Sequence, residues 1–169
     1  MISGLQEPKT LVLGIGNTVM SDDGVGVKVV QRIQREYRFP ESVSVVDGGT
    51  LGLDLLPMLE QIDNLIVVDA VETGKEPGTC VRLTGEELPI ALETKVSPHQ
   101  MGLKDLLAVA RLLGHFPREM VLIGVQPESI EMDTELTPKI EAQVEILIDN
   151  VLKELERLGI KPALEESQN

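Results

Sequence analysis

Two adjacent carboxylates, Asp22 and Asp23, follow an apolar run and a glycine turn in LVLGIGNTVMSDDGVG, from Leu11 to Gly26. A second apolar run, LIVVDAV, delivers Asp69 near its end, and the segment SPHQMG carries His99. Two carboxylates and an imidazole make a borderline-hard donor set. It suits nickel, zinc, cobalt or manganese, and the donors alone do not choose among them. Three protein donors leave positions open for water or substrate, as metal-assisted catalysis needs. Acids placed just after buried strands fall at the carboxyl edge of an open α/β sheet, where such folds hold their sites.

Each of these residues also has a plainer reading. Asp22 and Asp23 could cap the helix that follows, which accounts for one aspartate better than for two. Asp69, after LIVV, is costly to bury without a partner; it requires a backbone N–H or a cation. Asp47 stands in Asp47-Gly48-Gly49, a common turn sequence. His115, in GHFP, reads as the cationic end of a helix. Gly14 and Gly16 begin a dinucleotide fingerprint, but position 19 is Val19 and no Gly-Lys-Ser/Thr follows, so a nucleotide loop is not expected. No His-Glu-x-x-His and no Gly-x-Ser-x-Gly appears, which argues against a covalent serine or cysteine enzyme. The single cysteine, Cys80, permits no intrachain disulfide and reads as an apolar filler.

Apolar runs alternate with helical patterns, as in βαβ units. Strands are expected at Thr10 to Ile15, at SVSVVD ending in Asp47, at NLIVVDAV and at EMVLIGVQ, with a shorter, edge-like strand in TCVRLTG. Helices are expected from Gly24 to Tyr37, from Thr50 as cap to Leu59, and from Gly102 to Leu113, whose inward face is Leu103, Leu106, Leu107, Ala110 and Leu113. A last helix begins with Thr137 as cap and Pro138 in its first turn. Its inward stripe is Ile140, Val144, Leu147, Val151, Leu155 and Leu158. Glu86 to Val96 reads as a loop. The fold class is α/β, a three-layer α/β/α arrangement with a twisted, mostly parallel sheet of about five strands and helices on both faces. One domain spans residues 1–160, and 161–169 is a polar C-terminal tail.

The 169 residues are 42% hydrophobic but only 2% aromatic, so the core is built from Val, Leu and Ile, as in buried parallel strands. A net charge of −13 repels phosphate backbones and anionic membrane surfaces. No apolar run approaches the roughly 20 residues that cross a bilayer. MISGLQEPKT lacks the features of a signal peptide. A cytoplasmic protein with no nucleic-acid or membrane partner is expected.

From about Leu11 to Leu158 the chain resembles the hydrogenase maturation endopeptidases, which remove a C-terminal peptide from the large-subunit precursor of nickel–iron hydrogenase. The marks are the GIGN turn with its DDGVG loop, the DGGT segment, the strand ending VDA, SPHQ-x-G-L, and LIGVQPE, in that order. The resemblance implies metal ligation by Asp23, Asp69 and His99, and a catalytic role for Asp23 or Asp69 as general base. Members carry Glu or Asp at the first position, and Asp23 here has the shorter reach. The nickel would come with the substrate; zinc, cadmium or another divalent ion would substitute in the isolated protein. Asp47 would shape the cleft. A monomer is implied, acting on the hydrogenase large-subunit precursor, and aspartic-type and metal-dependent hydrolysis both stay open. The competing reading is a nickel-insertion or metal-binding accessory factor without protease activity. Two histidines and one cysteine give it little storage capacity.

Overall fold

TLVLGI faces apolar surroundings on both sides. In the computed structural model, which describes residues 7–49, 52–85 and 103–165, it forms a fully buried strand, β1 (Thr10–Ile15). Leu11, Leu13 and Ile15 enter one core cluster and Val12 the other, the two-residue alternation of a strand covered on both faces. A 3₁₀ turn (Ser21–Gly24) then leads into α1 (Val25–Glu36), β2 (Tyr37–Arg38) and β3 (Val43–Gly49). A second 3₁₀ turn (Gly52–Leu55) precedes α2 (Leu56–Leu59), β4 (Asn64–Ala70) and β5 (Cys80–Thr84). The chain continues through α3 (Leu103–Leu112), β6 (Glu119–Val125), α4 (Pro138–Glu141), α5 (Val144–Arg157) and β7 (Ala163–Leu164).

The main sheet has five strands in the order β3-β1-β4-β6-β5. All pairs are parallel except the edge strand β5, which runs antiparallel to β6. Helices α1 and α5 cover one face and α2 and α3 the other, giving three layers around two apolar clusters. The mostly parallel five-stranded sheet is therefore as expected from the sequence. β1 lies between β3 and β4, so the crossovers leave β1 in opposite directions. Their point of divergence, at the carboxyl ends of β1 and β4, is the crevice where open sheets bind ligands.

Glycines set how closely α1 approaches that crevice. A Cβ on Gly26 would lie 2.0 Å from the Val68 carbonyl oxygen, and one on Gly14 would lie 2.4 Å from the Gly26 carbonyl oxygen. The helix start thus rests directly on the backbone of β1 and β4.

Several local expectations are corrected. Asp47-Gly48-Gly49 is not a turn but the end of β3, with Asp47 opposite Gly14 and Gly49 opposite Ile15 after a register shift. Gly48 is held in the strand because the Leu13 side chain packs where its Cβ would be, 2.7 Å away. Thr50, the expected cap, lies outside the described residues. Thr137 makes no side-chain cap, and the last helix divides into α4 and α5. Leu113 is exposed rather than inward because α3 ends at Leu112 and Gly114 turns the chain away at φ 77°. Tyr37 leaves the helix for β2, which pairs antiparallel with β7 and so fastens Ala163 and Leu164, within the expected tail. Arg38 and Glu165 close that clasp at 2.6 Å.

At the opposite, amino-terminal edge, Glu154 is nearly enclosed and paired with Arg82 and, at 3.1 Å, with Arg157. The Arg82 hydrogen bond holds the Glu154 carboxyl below its ordinary value. Because the folded pKa is depressed, this stabilisation is present above the unfolded carboxylate value of about 4.3 and is lost as pH falls through the folded value. Arg82 is half-exposed, so the effect is on the order of 1 kcal/mol. Glu154→Gln should therefore lower the melting temperature at neutral pH, and the two melting curves should converge on acidification.

Candidate active site

β1 hands the chain to a turn that only glycine permits. Gly16 has φ 132°, and a Cβ there would overlap the Asp23 carbonyl oxygen at 1.8 Å. The chain therefore folds back, and Asp23 returns over the end of β1. Its Oδ2 accepts the Asn17 N–H at 2.9 Å, and its residue is 7% exposed. Ser21 is held at φ 50°, a conformation unfavourable for a residue with a Cβ. The Ser21 N–H donates to the Asp133 carbonyl at 2.8 Å, which helps to fix it there. The turn packs against β4.

Asp69 is the sixth residue of β4, pairs in register with Gly124 of β6, and is 1% exposed. By strand alternation it shares a face with Leu65 and Val67, the face covered by α2 and α3. The structure therefore brings Asp23 and Asp69 to the diverging crossovers of β1 and β4. A carboxylate there can ligate a divalent cation through oxygen or accept a proton from water.

Asp22 does something else. It is completely buried, and it accepts hydrogen bonds from Glu128 N–H at 2.9 Å, Ser129 N–H at 3.0 Å, Thr137 N–H at 2.8 Å and the Thr137 hydroxyl at 2.9 Å. Neither Asp22 nor Asp23 caps α1. Asp22 instead fastens the segment after β6 to the acidic turn. The same seam carries Asp22 N–H to Ser129 carbonyl, Asp133 N–H to Val19 carbonyl, and Lys28 Nζ to Thr134 carbonyl.

Asp47 is exposed and accepts from Gln31 Nε2 at 3.1 Å, on the α1 side of β3. His115 is half-buried, its N–H bonded to the Ala110 carbonyl just past α3, as a helix-end residue. His99 and the expected loop Glu86 to Val96 lie outside the described residues. Among the described residues no group of three His, Cys, Asp or Glu side chains is placed to hold a metal ion. Cys80 is half-buried, and burial pushes its thiol pKa up, in keeping with a filler.

One buried polar residue was missed as a site element. Gln126, at the end of β6, accepts from the Thr73 N–H at 2.6 Å and donates to Glu72 Oε1 at 3.0 Å. It ties the exit of β4 to the exit of β6. The available signal was a polar side chain closing an apolar run, the same signal that singled out Asp69. Cavities of about 250 Å³ and 680 Å³ open around Asn64, Glu119 and Leu158, at the amino-terminal edge, away from the aspartates.

The profile of the HycI hydrogenase maturation protease family matches residues 27–154. The hydrogenase 2 maturation protease of Escherichia coli is 41% identical over 154 residues, 90% of this chain and 94% of that protein. The hydrogenase expression/formation protein HoxM of Azotobacter vinelandii is 42% identical over 158 residues, 92% of this chain and 76% of that protein. Among solved structures, the E. coli hydrogenase maturating endopeptidase HybD superposes with a TM-score of 0.88 at 38% identity, covering 95% of this chain and 99% of that one.

Proposed function

The chain belongs to the hydrogenase maturation protease family and is a peptidase; from that premise we propose that it removes a C-terminal peptide from the large-subunit precursor of a nickel–iron hydrogenase. Nickel already held by the precursor is the recognition element, and Asp23, Asp69 and His99 complete its coordination. The observation that supports this reading is that the turn carrying Asp23 packs against β4, the strand that carries Asp69, at the crevice between β1 and β4.

The path of the chain supports His99 as the third donor. α3 ends at Leu112, and β6 begins at Glu119 on the amino-terminal edge, where the Arg118 and Glu119 N–H groups both bond the Asp63 carbonyl. α3 therefore runs toward that edge, and its first residue, Leu103, starts toward the carboxyl edge. Leu106 and Leu107 pack with Leu65 and Val67, on the face that Asp69 shares. His99 precedes this helix start by four residues.

In this reading the substrate brings the metal, and the protein supplies donors and a cleft. The nickel would supply Lewis-acid chemistry toward the scissile carbonyl or the attacking water; alternatively Asp23 or Asp69 would take a proton from that water as general base. No helix among the described residues is long and apolar enough to cross a membrane. We place the reaction in the cytoplasm with the enzyme as a monomer, and the net charge of −13 disfavours a nucleic-acid partner. The test is intact mass after mixing the protein with its cognate precursor, nickel-loaded and nickel-free. Loss of a C-terminal peptide from the loaded sample alone is expected. Cleavage of both samples would remove the nickel gate, and cleavage of neither would overturn the assignment.

A further inference from the structure

The segment from Pro127 to Leu136, which Asp22 fastens to the acidic turn, contributes nothing to the ligand set just described. It presents Glu128, Ile130, Glu131, Met132, Asp133, Thr134 and Glu135 to solvent. Its Met132 is 84% exposed, and Val19, on the turn before Asp23, is 48% exposed. These two residues are neighbours by register. Met20 and Asp133 form a parallel bridge, closed by Ser21 N–H to Asp133 carbonyl at 2.8 Å and Asp133 N–H to Val19 carbonyl at 3.0 Å. The bond from Asp133 N–H to the Val19 carbonyl sets Val19 beside Met132, the residue that precedes Asp133, and both are exposed.

We propose that this bridge is a docking surface for the precursor chain beside its scissile bond, with Val19 and Met132 seating an apolar side chain of that peptide. The inference rests on the processing reading above. Three observations favour this occupant. The surface is continuous with the candidate active site, since Asp23 follows Val19 within the same turn. It is tied down by hydrogen bonds to the buried Asp22, which lowers the ordering cost of binding. Met132 lies on a segment that also exposes Glu128, Glu131 and Glu135, which complements an extended peptide carrying basic residues next to the apolar one. Methionine at such a position adapts its shape to a partner at little cost.

The test is the double variant Val19→Ser, Met132→Ser. Both side chains are exposed and outside the core, so its melting temperature should match the wild type. With nickel-loaded precursor, KM should rise about tenfold, the scale of truncating a central interface contact, while kcat stays within about twofold. An unchanged KM would overturn the docking surface, and so would a fall in kcat at constant KM. Precursor binding is measured alongside by interferometry, so that the two proposals fail separately. A wild type that binds precursor without cutting it overturns the processing reading, and the dissociation constants of the two proteins then decide docking. Equal constants, or a wild type that binds no precursor, overturn it. A concentration-dependent dimer that the double variant loses, with KM unaltered, would assign the surface to a second copy and overturn the precursor as occupant.

Discussion

Asp69→Asn should leave the protein folded and reduce processing of nickel-loaded precursor by at least about a hundredfold, the lower range for removing a catalytic proton acceptor. Asparagine matches aspartate in shape, so the tight packing at the end of β4, where the residue is 1% exposed, is preserved. What is lost is the negative charge and one oxygen donor. Asp23→Asn and His99→Ala should give the same loss, as the proposed ligation of one metal by all three requires, since the single effects of residues acting as a unit do not add. Asp47→Asn is the control. That residue is exposed and bonded to Gln31, and its processing should stay close to wild type. Intact mass reads the cleavage and a thermal melt reads the fold. A folded Asp69→Asn protein that processes normally would remove the carboxylate from the mechanism.

Asp22→Ala should destabilise the protein by on the order of 4 kcal/mol or more. It strands three backbone N–H groups and one hydroxyl, and each buried donor without an acceptor costs about 1–3 kcal/mol. That is a large share of a typical 5–15 kcal/mol stability. Asp22→Asn should not rescue it, because both carboxylate oxygens accept hydrogen bonds and an amide turns one of them into a donor. Urea unfolding gives the size of the loss. Faster amide exchange at residues 128–137 than in the sheet would place it in the segment that Asp22 holds. A midpoint within error of the wild type would show that the clamp contributes nothing.

The contrast between these neighbours explains what the sequence could and could not reveal. The positions of Asp69 and Asp23 were legible because Asp69 breaks an apolar run near a strand end, Asp23 follows the glycine turn after another, and parallel topology brings those strand ends to one edge. The strands β1, β4 and β6 were legible because each is a short apolar run bounded by polar or turn residues. The role of Asp22 was not, because its partners Glu128 and Thr137 lie 106 and 115 residues away. Local reading offered capping to both Asp22 and Thr137, and the structure joins them to each other instead. Asp47-Gly48-Gly49 has turn chemistry, yet the Leu13 side chain and pairing with β1 keep it in a strand. Tertiary contact overrode propensity there.

The order of the strands also governs when the enzyme becomes competent. β1 and β4 meet across 54 residues of sequence, and β4 then requires β6, which ends only at Val125. Nearly all sheet contacts are non-local, so loop closure must come before any of them is rewarded, and folding is slow relative to a helical protein of equal size. The two aspartates have no common geometry until that closure is complete. The topology therefore keeps the two carboxylates apart until β1, β4 and β6 have paired, so the site belongs to the finished sheet and to no single segment.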